Sequence, residues 1–94
     1  MFTHIVLFKL KNATKENMEE ANLILSSMEG KIEELKYLEV GVDIIRSERS
    51  YDIALITRFN SKEDMDKYQV SEYHVNHVLK NLKPLLKSSV ALDY

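Results

Sequence analysis

The chain has 94 residues, 45% of them apolar and 30% charged, with a formal charge of −2 and a pI near 5.9. That length suits one core, and the lack of any cysteine excludes disulfides, thiolate catalysis, zinc fingers and iron–sulfur ligation. The charge balance speaks against nucleic-acid binding, which needs clustered Lys and Arg, and no apolar run approaches the roughly 20 residues of a membrane helix.

Leu, Ile, Val and Phe supply 29 of the 94 residues, so a folded chain is expected rather than a disordered one. One Pro and two Gly leave no visible linker, and residues 1–94 read as a single domain. The start, Met1-Phe2-Thr3-His4-Ile5, has neither the basic segment nor the long apolar stretch of a signal peptide, so a cytoplasmic location is expected.

Phe2 to Leu10 is rich in Ile, Val, Leu and Phe and reads as a strand. Asn12-Ala13-Thr14 reads as a turn with Thr14 as helix cap. Met18, Ala21, Leu25 and Met28 then recur at helical spacing, and Gly30 suits the left-handed position after the helix. Lys31 to Tyr37 predicts a further short helical turn through Ile32 and Leu35. Leu38 to Ile45 alternates with period two and predicts a second strand. Polar Arg46 to Ser50 reads as a hairpin connection; Arg46, Arg49 and Asp52 there read as a solvated cluster with one ion pair. Tyr51 to Phe59 is a third strand. Ser61-Lys62-Glu63-Asp64 resembles a capping box and opens a helix through Met65 and Tyr68. Ser71 caps another helix, with Val75, Val78, Leu79 and Leu82 on its buried side and Pro84 disturbing its end. Ser89 to Tyr94 closes the chain as a short strand.

The order β-α-β-β-α-β is the α+β ferredoxin-like arrangement, a four-stranded antiparallel sheet with helices on one face. The free face of such a sheet is ordinarily polar. Here the first strand is apolar in both phases: Phe2, Val6, Phe8 and Leu10 against Ile5 and Leu7. The third repeats this, with Ile53, Leu55 and Phe59 against Ala54 and Ile56. Burying one large aliphatic side chain stabilises by roughly 1.5–3 kcal/mol, and no element is left to cover the second face. A two-fold homodimer packed sheet to sheet is therefore expected.

His4, His74 and His77 are the residues whose unperturbed pKa lies near neutrality. His4 shares a phase with Phe2, Val6 and Phe8, which suits either a core histidine or a pocket wall. His74 follows the Ser71 cap by three residues, where the helix N-terminus disfavours imidazolium and keeps the ring ready to accept a proton. His77 is one turn on and reads as a solvated neighbour. With no matching carboxylate and no Cys, the His74–His77 pair predicts no metal site. Tyr68, six residues before His74 across a helix break, can bring its hydroxyl towards that imidazole or simply plug the core. No serine nucleophile, phosphate loop or dinucleotide motif is present.

The segments His4-Ile5-Val6-Leu7-Phe8-Lys9-Leu10, Ser50-Tyr51-Asp52-Ile53-Ala54-Leu55, Phe59-Asn60-Ser61, Tyr68-Gln69-Val70 and Val90-Ala91-Leu92-Asp93-Tyr94 together resemble the stress-responsive A/B barrel domain (Dabb) family of the dimeric α+β barrel superfamily. The resemblance spans essentially the whole chain. It implies two ferredoxin-like subunits joining their sheets into a barrel, each with a small cavity between sheet and helices. A plant cyclase of this family closes a linear polyketide by aldol chemistry without a cofactor. It uses a His on the last helix as base, a Tyr beside it, and a His in the first strand; His74, Tyr68 and His4 match those positions. Ser71 and Glu72 stand where the family commonly carries His-Pro. Ala21, Asn22 and Leu25 stand where the cyclase has bulky aromatics, which makes its polyketide an unsuitable substrate.

Two functions follow as expectations. The first is cofactor-free acid/base chemistry of the lyase or cyclase type on a small carbonyl compound. His74 would be the base, Tyr68 would steady the enolate and His4 would orient the substrate, within an apolar wall of Val6, Phe8, Leu25, Met65, Val78 and Leu82. The second is a non-catalytic dimer that binds a small apolar ligand or serves in stress response. Haem-dependent monooxygenation, known elsewhere in the superfamily, is disfavoured because no residue pattern suggests a cofactor site. Neither reading calls for a nucleic acid or a membrane as partner.

Overall fold

The first strand, β1, runs from Phe2 to Leu10 as its composition predicts, in a computed structural model that describes residues 1–94. Thr14 then caps helix α1, Lys15–Ser26, its hydroxyl accepting from the Asn17 N–H at 3.1 Å. Met18, Ala21 and Leu25 turn into the core. Gly30 takes φ +75°, the left-handed conformation that glycine adopts without steric cost. After that reversal the expected short helical turn is reduced to isolated turns within Lys31 to Lys36, one closed by the Leu35 N–H donating to the Ile32 carbonyl at 3.2 Å, and Ile32 is buried.

Strand β2, Tyr37–Val42, stops three residues before the predicted Ile45. Asp43 makes the last ladder bond, its N–H donating to the Asp52 carbonyl at 2.9 Å. Its carboxylate then accepts from the Arg46 N–H at 2.8 Å, and Arg46 takes φ +60°. Side-chain capture of the backbone thus wins over the alternating pattern, and Ile44 and Ile45 are left exposed. The hairpin is solvated from Arg46 to Arg49 and holds the expected ion pair, but Asp52 is not part of its exposed surface. Asp52 is buried, accepts the Leu10 N–H at 2.7 Å and pairs with the Arg46 guanidinium at 2.9 Å; Arg46 also meets Asp43 at 3.2 Å.

Strand β3 is Ile53–Phe59, and Ser61 caps α2, Lys62–Val70, by accepting from the Asp64 N–H at 3.2 Å. Ser71 caps the last helix in the same way, accepting from the His74 N–H at 3.3 Å. This helix begins with a wide π-helical stretch, Tyr73–Leu79, followed by an α turn, Lys80–Leu82, and a 3-10 turn, Lys83–Leu85, containing Pro84. Widening changes which residues face inward. Val78 and Leu82 are buried as predicted and Leu79 is half-buried, but Val75 is 41% exposed while Tyr73 and His74 turn in. Strand β4 starts earlier than predicted, at Leu86, and ends at Asp93.

The sheet order is β2-β3-β1-β4, all antiparallel, which is the ferredoxin-like topology. On one face Phe8, Leu10, Ile53, Leu55 and Phe59 join the buried residues of the helices in a single core. The register pairs Ile5 with Ile56 and Leu92, and Leu7 with Ala54 and Val90, so the other face is a continuous apolar patch across three strands. Val90 and Leu92 are 47% and 62% exposed on it.

Candidate functional site

The inner row of β1 places His4, and the β1–β4 register sets Asp93 directly opposite. The Asp93 carboxylate accepts a hydrogen bond from the His4 Nδ1–H. A carboxylate can only accept, so Nδ1 is the donor and the Nε2 edge of a buried ring is left for a ligand. On the first turn of the last helix, His74 is fixed in a parallel way. Its Nδ1 donates to the Gln69 carbonyl at 3.0 Å, so its Nε2 carries the lone pair. Every fully buried side-chain polar atom of the chain has a partner, and Nε2, which has none, therefore faces open space. Burial pulls the His74 pKa below its usual 6.5; the bond to Gln69 acts in the opposite sense, and the nearby His4 lowers it further.

Tyr68, 1% exposed, lies between two rings: Phe59 at 4.9 Å between centroids and His74 at 4.5 Å, tilted by 47°. Its hydroxyl does not reach the imidazole. It donates to the Met28 sulfur at 3.6 Å, a weak acceptor. Burial pushes its pKa far above 10.0, so the phenol stays a neutral donor across the physiological range.

His4, Tyr68 and His74 line one cavity of about 430 Å³ between the last helix and the inner face of β1 and β4. Five of the six predicted wall residues line it: Val6, Phe8, Leu25, Val78 and Leu82. Met65 does not. It is buried in the core, where its sulfur accepts from the Gln69 amide at 2.9 Å. Leu55, Gln69, Leu79, Ser89, Ala91 and Asp93 complete the lining. The alternation of Ser89, Ala91 and Asp93 against Val90 and Leu92 marks them as one face of a strand. Only the pairing register reveals that this face looks into the cavity. His77 stands elsewhere, exposed and stacked on Tyr73 at 4.7 Å. No group of three His, Cys, Asp or Glu side chains could hold a metal ion.

The cavity thus combines an apolar floor with two imidazoles, each anchored through Nδ1. That arrangement can accept or deliver one proton at a bound molecule.

No curated protein matches the chain in sequence. Among solved structures, it is similar to a dimeric ferredoxin-like protein of unknown function from Thermobifida fusca. The identity is 26% with a TM-score of 0.84, covering 99% of this chain and 88% of that one. A dimeric protein of unknown function from Bacteroides fragilis, also ferredoxin-like, is 28% identical, with 99% and 93% covered and a TM-score of 0.84. A hydroxynitrile lyase from Passiflora edulis shares the fold at 18% identity, with 99% and 90% covered and a TM-score of 0.73. The model of the stress responsive A/B barrel domain matches residues 2–94, and the chain therefore belongs to that family.

Proposed function

We propose that the cavity binds a small apolar carbonyl compound and removes a proton next to its carbonyl, without a cofactor. The observation that carries this is the commitment of the His74 Nδ1–H to Gln69, which leaves a neutral Nε2 as base in an apolar pocket. The C–H proton passes to Nε2 and the bonding pair enters the enolate. The same proton is available for return once the carbon skeleton has cleaved or closed. Tyr68 supplies an O–H to the enolate oxygen by turning from Met28, and little is lost because a thioether is a poor acceptor. His4, steadied by Asp93, orients the substrate. The Passiflora edulis protein, a hydroxynitrile lyase, supports the view that this fold accommodates lyase chemistry.

The working unit in this proposal is a homodimer joined through the outer sheet face, in which the two sheets complete a barrel. Six apolar residues with no cover, together with relatives described as dimeric, support it.

The test is hydrogen–deuterium exchange of α-protons in a panel of medium-chain methyl ketones and β-diketones, followed by NMR in D2O. The wild-type protein accelerates exchange for at least one member, and His74→Ala reduces that acceleration by about 10²–10⁴-fold. Equal exchange by the variant removes His74 from the role of base. One observation favours a second reading, binding without turnover in a stress-response dimer: the Tyr68 hydroxyl is engaged by Met28 rather than His74. That reading predicts ketone-induced shifts with no exchange.

A further inference from the structure

Strand β4 is an edge strand, and its inner row, Ser89, Ala91 and Asp93, forms one side of the cavity. Asp93 stands opposite His4 and Ser89 stands opposite Phe8, so the two lie four residues apart along the strand. At the rise of a β-strand this separates them by about 13 Å. Between them the floor is apolar, with Val6 and Ala91 paired at its centre. One end of the cavity is therefore polar through the two imidazoles. The other end holds a single polar side chain, that of Ser89, which is exposed at the cavity rim and bonded to no protein group. At protein-like packing or somewhat looser, about 430 Å³ accommodates on the order of ten to fifteen non-hydrogen atoms.

We propose that the ligand is a linear carbonyl compound with a hydrogen-bonding group at its far end, and that Ser89 is the residue that selects for that group. This rests on the carbonyl-binding reading of the cavity. The carbonyl sits at His74, the chain lies along the Val6–Ala91 floor, and a terminal hydroxyl about eight to ten bonds away meets Ser89. A chain too short leaves its hydroxyl over the Val6–Ala91 floor, short of Ser89. A chain too long must push the hydroxyl past the row. In either case the ligand hydroxyl forgoes the bond to Ser89, and with it the advantage over the plain ketone.

The experiment measures, by NMR titration, the affinities of unbranched 2-ketones of six to twelve carbons and of their terminally hydroxylated counterparts. The readout is the ratio of hydroxylated to plain affinity at each length. It should peak at roughly three- to tenfold near nine to eleven carbons. Ser89→Ala should bring the peak to a ratio of one. Ser88→Ala, on the outer row opposite Lys9, should leave it in place. A ratio near one at every length, or a peak that survives Ser89→Ala, overturns the role of Ser89, while binding of the plain ketones keeps the carbonyl reading standing. If no ketone of either series binds, both readings fall together.

Discussion

Tyr68→Phe separates what the phenol does for the fold from what it does for a ligand. The ring keeps its contacts with Phe59 and His74, and the variant loses one hydrogen bond, to a sulfur at 3.6 Å. An ordinary intramolecular hydrogen bond contributes roughly 0.5–1.5 kcal/mol net, and one to a thioether less. At pH 7 the stability change should stay within about 1 kcal/mol, a melting shift of no more than roughly 4–8 °C for a chain of this size. Alkaline pH tells the two proteins apart. Burial raises the Tyr68 pKa, so above pH 10 the unfolded chain releases this proton while the folded one holds it, and stability is lost as pH rises. One unit above the ordinary value, that loss is about 1.4 kcal/mol in the wild-type protein and absent in the variant. Urea denaturation at pH 7, 10 and 11 measures both quantities. Parallel loss of stability in the two proteins would show that the phenol ionises freely in the folded state, and the buried-donor role would be refuted.

Asp52→Ala leaves the Leu10 N–H without its acceptor in a buried strand end and should cost about 1–3 kcal/mol by urea denaturation; Asp52→Asn, which retains an acceptor, should cost less. The His74 pKa is lowered on folding, so its imidazole, followed by NMR, should titrate below 6.5. Between that folded value and 6.5 the unfolded chain binds the extra proton. Stability falls as pH drops through that window, and His74→Gln should blunt the fall. Any base activity should follow the same titration, flat above pH 6.5 and declining in acid. Ile5→Asp puts a charge at the centre of the outer apolar patch and should reduce the sedimenting species to the 11.0 kDa protomer; a wild-type protein already sedimenting as a protomer at micromolar concentration would overturn the dimer.

Most of the fold is legible because the strands carry their own record. β1 and β3 are apolar in both phases, and the caps Thr14, Ser61 and Ser71 stand where helices begin. The misread segments share a cause. Ile44 and Ile45 continue an alternating pattern beyond the point where the Asp43 carboxylate diverts the backbone. Val75 sits on the apolar spacing of an α-helix in a segment wound more widely. In both, a local hydrogen-bonding choice overrides periodicity. At the site, single residues with distinctive chemistry were visible, as His4, Tyr68 and His74 were. Partners fixed only by tertiary register were not: Asp93 is 89 positions from His4, and Met28 is 40 from Tyr68. The Gln69 carbonyl is a backbone group, and no side-chain pattern announces it.

The wide winding of Tyr73–Leu79 makes the helix tolerant of a change in length at this one stretch. A π turn holds about one more residue than an α turn, so deleting one residue here returns the segment to ordinary α pitch while the turns on either side keep nearly the same facing. In a segment already at α pitch, the same deletion would rotate everything before it by about 100°. The stretch thus works as a length buffer, absorbing a single-codon deletion that in the α turn beyond it would swing His74 away from the cavity.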